Sequence, residues 1–320
     1  MKISSRISIV VISILLTILY GYVSLLLFTN TSSGLEAFSW SFILLLPYAI
    51  GLLGITVLIR KREIGLKRAI FQPWLYCVGL FILATVFSPG YLLCVVIGLP
   101  IFLPAASSGG VTAWILHQYP KATKIVLLLV LISPFTANSV EAQFKAPTSI
   151  TTTHTFVDIN ASAANVWDNI KSISPVSEQE QRSNWLHWLG LPRPVAAALS
   201  YEGIGGVRHA AWENGLRFDE TITEWKPEER LSFLVVETSE NLLPPPLNLI
   251  DGEHFDVLHG SYVIEPLTDD TVRLHLTTEH YLGTRFNEYG SWWTDKIMRS
   301  LQIYILELVK VRAESESLGN

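Results

Sequence analysis

The sequence predicts an α+β fold in two parts. Residues 1–144 form an all-α transmembrane bundle, and residues 145–320 a soluble domain in which a curved antiparallel sheet is covered by a long C-terminal helix. Three observations predict this. The first is charge. Only 16% of the 320 residues are charged and 49% are hydrophobic, against about 25% charged in an ordinary soluble domain. The shortage is uneven: residues 1–144 carry 9 Lys/Arg and 3 Asp/Glu, residues 145–320 carry 14 and 25. The second is a series of uncharged runs in the first part, each long enough to cross a bilayer. The third is period-two alternation in the second part, followed by one long amphipathic run. This composition excludes a disordered chain, a collagen-like fibre and a disulfide scaffold. An acidic soluble half repels phosphate, so nucleic acid is not an expected partner.

In the first part, Ile7–Phe28 and Phe38–Ile59 are the first two spans. From Ala69 to Pro120 there is no Asp, Glu, Lys or Arg, too long a run for one helix. Ser88-Pro89-Gly90 is a turn signal that divides it into spans 69–87 and 91–116. A fifth run begins at Ile125 and extends to about Val140 through Pro134, which would kink or end it. Lys2 and Arg6 precede the first run as in a signal peptide. The run is longer than a signal core and lacks a small-residue cleavage site, so a retained helix is expected.

Lys and Arg concentrate before the first span, between the second and third (Arg60, Lys61, Arg62, Lys67, Arg68), and between the fourth and fifth (Lys121, Lys124). With five spans this places the N-terminus in the cytoplasm and the C-terminal domain outside it, in a multi-pass protein of the cell (inner) membrane. If the fifth run does not span, the domain is cytoplasmic. No Asp, Glu, Lys or Arg lies inside a span, which argues against an ion pump or transporter. Gly51, Gly54, Gly109 and Gly110 are expected to serve close helix packing within the bundle. Cys77 and Cys94 both fall in spans, and the soluble half has no cysteine. No disulfide framework or thiolate metal site follows.

In the second part, Ala142–Ile150 reads as a linker and Thr151–Ile159 as a strand. Ala161–Ile173 has helical spacing, with Asn160 or Ser162 as N-cap. Ser174–Ala198 shows no clear period. Gly206–Glu213 and Leu216–Trp225 are strands joined by Asn214-Gly215, the strongest short hairpin signal. Arg230–Glu237, Gly260–Pro266 and Thr271–Leu282 are further strands. The long helix covers about Gly290–Ala313, with an apolar stripe of Trp293, Ile297, Leu301, Tyr304, Ile305 and Leu308.

Two segments resemble one superfamily. Thr155–Trp167, a strand ending in a small-residue turn before a helix with the Val166-Trp167 pair, is similar to the opening of SRPBCC (START-like, polyketide cyclase/dehydrase-like) domains. Glu220–Phe233 resembles that superfamily's central strands joined by a Pro-containing turn, here Pro227. The resemblance covers about residues 150–315. It implies a helix-grip fold around a hydrophobic cavity that takes lipids, sterols or polyketides. It implies no universal catalytic set, so no catalytic residue is carried over.

Candidate ligand-binding residues follow from the expected hairpin register. With a two-residue loop, Ala211 faces Phe218, His209 faces Glu220 and Val207 faces Ile222, all on the more apolar face. His209 and Glu220 then form an inward pair able to hold a polar head group or to do acid–base work. A one-residue bulge would turn Arg208 inward instead. Trp293 and Ile297 on the helix stripe complete the expected cavity wall. Trp185, Trp188 and the Leu243–Leu247 loop are candidates for a cavity rim or a membrane contact. The seven soluble-half histidines lack metal-ligand spacing, and Gly203–Gly206 precedes a strand rather than a helix. No metal and no cofactor is expected.

The expected function is membrane-anchored binding of a lipid or other hydrophobic small molecule, for transfer or sensing. The alternatives are a cyclase- or hydrolase-type enzyme using His209 and Glu220, and a protein-interaction module with a filled core. Oligomeric state is open.

Overall fold

A computed structural model describes residues 2–30, 36–60, 63–87, 91–177, 180–181, 184–238 and 254–319. The chain divides into two compact units: Met1–Pro147 with Thr284–Phe286, and Thr148–Gly283 with Asn287–Asn320.

The first unit is all-helical. Its helices are α1 (Lys2–Thr29), α2 (Leu46–Ile59, entered through a π-turn at Ser41–Leu45), α3 (Leu66–Phe87), α4 (Tyr91–Leu116) and α5 (Pro120–Glu141). Five stretches are long and apolar enough to cross a membrane: Ile9–Thr29, Ser41–Ile59, Leu66–Phe87, Leu92–Leu116 and Pro120–Glu141. The fifth starts five residues earlier than expected, at Pro120 in the first turn of α5, and runs through Pro134 to its expected end. Beyond Pro134, Asn138 is fully buried and accepts from the Glu36 N–H (3.1 Å) while donating to Glu36 O (3.1 Å) and Ser39 Oγ (2.7 Å). The same bonds hold residues 36–39 in a turn, so the second apolar stretch starts at Ser41 and not at Phe38.

Helix α2 is the most buried of the five. Its Gly51 packs against the α4 backbone, and its Gly54 against the Tyr76 ring of α3. A Cβ on Gly51 would meet Ala106 O at 1.9 Å, and one on Gly109 would meet Tyr48 O at 2.0 Å. Backbone-to-backbone approach of this kind is what small residues permit, and the four glycines pack the bundle as expected. The outward faces are apolar: Leu15 and Leu19 of α1, Leu75 and Ile82 of α3, and Leu128 and Leu129 of α5 are all exposed.

The second unit is a helix-grip fold. A seven-stranded antiparallel sheet runs in the order β1-β7-β6-β5-β4-β3-β2. The strands are β1 (Ser149–Ile159), β2 (Pro194–Leu199), β3 (Val207–Trp212), β4 (Arg217–Lys226), β5 (Arg230–Glu237), β6 (Phe255–Thr268) and β7 (Thr271–Leu282). Two short helices, α6 (Ala163–Lys171) and α7 (Trp185–Trp188), follow β1, and the long α8 (Asn287–Gly319) closes the fold. Ser162 caps α6, its hydroxyl accepting from the Asn165 N–H. The core joins Ile159, Ile170, Ile222, Leu231, Leu274 and Leu306, each nearly or fully buried.

Strand β2 had no sequence signal. Its Ala196-Ala197-Ala198 run has neither β-branching nor alternation, and it forms because it pairs with β3. Helix α8 buries Tyr304 and Leu308 of the expected stripe, and beside them Thr294, Met298, Gln302, Leu306, Val309 and Ala313. Gln302 breaks the apolar pattern because polar partners on the sheet require it there: its Nε2 donates to Thr153 O (3.0 Å) and Thr278 Oγ1 (2.8 Å), and its Oε1 accepts from Thr155 Oγ1 (2.9 Å). Gln302→Leu would leave these buried groups unpaired. It is expected to destabilise the unit by roughly 2 kcal/mol or more, read from the shift of its urea unfolding midpoint.

Candidate functional site

The β3–β4 hairpin decides which side chains enter the core. Asn214 and Gly215 both take positive φ (60° and 80°), as their sequence requires. Glu213, however, joins the loop. Its N–H is spent on Arg193 O (2.8 Å) and its carboxylate accepts from the Arg193 N–H (3.0 Å), so Trp212 pairs with Leu216 instead. The loop is therefore three residues long, and the register differs by one from the two-residue expectation. Arg208 faces Glu220, Ala210 faces Phe218, and His209 faces Asp219.

This corrects the inward His209–Glu220 pair. A one-residue slip turns β3 over. His209 is on the outer face, where Nδ1 lies 2.7 Å from Asp219 Oδ1 and the side chain is 59% exposed. Arg208 takes the inner position. Its Nε donates to Glu220 Oε2 (2.5 Å), and its Nη1 donates to Ile170 O (2.5 Å) in the last turn of α6. The guanidinium lies over the Phe233 ring, 4.6 Å from its centroid, and 5.5 Å from that of Tyr262. The Arg208 side chain is 3% exposed and that of Glu220 14%. Burial is the largest influence and opposes the Arg208 charge, but Glu220 and Tyr262 together outweigh it and hold the guanidinium above its ordinary value. Burial likewise raises the Tyr262 phenol.

Beside this ion pair lies a cavity of about 190 Å³ between the sheet and α8. Phe218 and Glu220 of β4, Phe233 and Val235 of β5, Phe255, Val257 and Tyr262 of β6, and Leu276 and Thr278 of β7 form the sheet side. Met298, Leu301, Gln302 and Ile305 form the helix side, and Leu191, Pro192, Trp212 and Leu216 the remaining edge. A cavity of about 150 Å³ accepts benzene, so this one takes a ring or a short acyl segment. The wall is mostly hydrocarbon and aromatic, with Glu220, Tyr262, Thr278 and Gln302 as its polar points.

The sequence-predicted residues divide accordingly. Phe218 and Glu220 line the cavity. Arg208 stands behind Glu220, and Ile222 is buried in the core next to it. Trp293 and Ile297 are half-buried and are not on the described cavity wall. Leu301 and Ile305, one and two turns further along the same expected stripe, line it with Met298 and Gln302. Trp188 is exposed and Trp185 partly so, while the Leu243–Leu247 loop lies outside the described residues. Leu191, Pro192 and Val257 carried no periodic signal. The even alternation of β7 through Leu276 and Thr278 was the cue that those two share a face.

His280 continues that inner face of β7. It is fully buried, its ring 5.8 Å from that of Phe255, and neither ring nitrogen has a hydrogen-bond partner among the described residues. Burial lowers its pKa below the ordinary 6.5, with Asp295 pulling weakly the other way. The unfolded chain therefore takes up this proton first as pH falls. The stability is fully present above about pH 6.5 and is lost below it, down through the folded-state value. Burial also lowers His187 and His154, so the effects add. His280→Leu should flatten the fall in melting temperature between pH 7.5 and pH 5.5. An unchanged slope would contradict this assignment.

No family model matches the chain, and no curated protein matches it. Solved structures do. Norcoclaurine synthase from Thalictrum flavum, in complex with dopamine and hydroxybenzaldehyde, is 14% identical over 51% of this chain and 86% of that chain, with a TM-score of 0.32. A protein from Nitrosospira multiformis is 17% identical over 52% of this chain and 99% of that one, at 0.33. A conserved protein from Geobacillus kaustophilus is 13% identical over 52% and 96%, at 0.34. These likenesses concern the fold and nothing finer.

Proposed function

We propose that this chain is a multi-pass membrane protein whose C-terminal domain, of the SRPBCC (START-like) type, binds a lipid or other hydrophobic small molecule for transfer or sensing. The observation that carries the reading is the cavity of about 190 Å³ under α8, apolar except for a few fixed polar groups. Glu220, locked by Arg208, is the acceptor at its polar edge. The Arg208–Glu220 pair is neutral as a unit, which suits an uncharged hydroxyl or amide on an otherwise apolar ligand better than an anion. An open apolar cavity counts against a filled interaction module. An enzyme built on His209 and Glu220 loses its support, because those side chains stand on opposite faces of the sheet.

Membrane anchoring is supported by the five long apolar stretches and by their exposed leucines and isoleucines. In water such faces would be costly, at about 25 cal/mol per Å²; in lipid they are not. The Lys and Arg distribution supports an extracytoplasmic C-terminal domain. The test is Val235→Trp, which fills much of the cavity from a wall position. The variant is expected to lose binding of a fluorescent apolar probe by at least about tenfold while its melting temperature stays within a few degrees. Unaltered probe affinity in a folded variant would overturn the site.

A further inference from the structure

A second cavity lies in the first unit, at the end of the bundle where α2 and α4 finish and α5 begins. Its volume is about 310 Å³, and Thr56, Arg60, His117, Thr123 and Lys124 are its polar lining residues. No acidic side chain lines it among the described residues.

Three features distinguish it from a solvated helix end. Thr56 is 5% exposed, yet its hydroxyl has no hydrogen-bond partner among the described residues. In a helix a threonine hydroxyl usually finds the carbonyl one turn back, as Thr123 does here with Tyr119 O (3.0 Å). The basic residues also exceed what the helix ends need. The C-terminal dipoles of α2 and α4 each favour one cation, and Arg60 and His117 fill those positions, one His117 nitrogen meeting Trp114 O. Lys124 has no such role. It stands in the opening turns of α5, whose first turn has no acidic residue. A cation there opposes the helix dipole. Finally, the cavity is at the level where three apolar spans end, which in a bilayer is the headgroup layer.

An anion in the cavity satisfies all three. It accepts from the Thr56 hydroxyl, meets Arg60 and Lys124, and lies at the favourable end of α5. We propose that this cavity binds a phosphate group, carried by an anionic phospholipid of the leaflet that surrounds this end of the bundle. The proposal rests on the membrane part of the reading above and is independent of the cavity under α8. Basic pockets between spans are a suitable geometry for such head groups.

The test uses the full chain in lipid nanodiscs, with bound lipid read by native mass spectrometry. Wild type is expected to retain phosphatidylglycerol over phosphatidylcholine by about tenfold, and Arg60→Gln with Lys124→Gln to bring that preference down to about one. Thr56→Val should weaken it severalfold with no change in melting temperature, and keeps the test valid if the double variant does not fold. Displacement of phosphatidylglycerol by inorganic phosphate would support the phosphate site with the free ion as an occupant. Resistance to displacement would support it with the lipid as the occupant. Equal retention of the two lipids, or retention unchanged in the folded variants, would overturn the proposal. Carbonate extraction separates the two claims: a chain that leaves the membrane pellet contradicts the membrane reading itself, whatever the lipid result.

Discussion

Arg208→Met alone is expected to destabilise the C-terminal unit by about 3–5 kcal/mol, because it strands the Glu220 carboxylate in the core. The cost is not the loss of a favourable ion pair. Burial makes the pair nearly neutral against an apolar replacement, and removal of one partner leaves an uncompensated charge. Arg208→Met with Glu220→Met is therefore expected to regain most of the loss. A residual deficit of about 1 kcal/mol is expected from the unpaired Ile170 carbonyl in the last turn of α6. The double variant should also lose discrimination among ligands by their polar group while keeping affinity for the apolar body. Urea unfolding of the two variants checks the first statement. A double variant no more stable than Arg208→Met would show that Arg208 acts through α6 and the Phe233 and Tyr262 rings, not through Glu220.

The other large effect is expected at Gly51. Any side chain there drives its Cβ into the Ala106 carbonyl, which is backbone and cannot swing aside. Gly51→Val must separate α2 from α4, and Gly109 loses its close contact with Tyr48 in the same movement. Overpacking costs about 1–3 kcal/mol where side chains can adjust, and more where they cannot. The expected outcome is a fall of ten degrees or more in the thermal midpoint of the detergent-solubilised protein (each kcal/mol is worth roughly 2–8 °C). Gly98→Val is the matched control: the nearest atom to its Cβ is Phe102 Cδ2 at 3.9 Å, so its midpoint should stay close to wild type.

The sequence carried the element order further than it carried the site. Long uncharged runs and strict alternation are local signals, so the bundle, β1, β7 and the C-terminal helix were legible. The start of the second stretch was not, because Asn138 binds Glu36 and Ser39 from about a hundred residues away. The hairpin illustrates the same limit at closer range. Asn214-Gly215 correctly announced a turn with two positive φ angles, but loop length was settled by Glu213 bonding to Arg193. That contact exchanged His209 for Arg208 at the inner face. On α8 the apolar residues marked only part of the buried side, and Gln302 shows why: a polar residue can be among the most buried when threonines of β1 and β7 supply its partners. The hairpin error displaced candidate residues by one position, which in a strand reverses the face.

The most direct test is mass spectrometry of organic extracts from the full chain, wild type against Val235→Trp, purified identically. A hydrophobic molecule retained near one-to-one by wild type and missing from the folded variant, with bundle-associated phospholipid equal in both, is the predicted result. Identical extracts from the two folded proteins would contradict ligand binding in the cavity under α8.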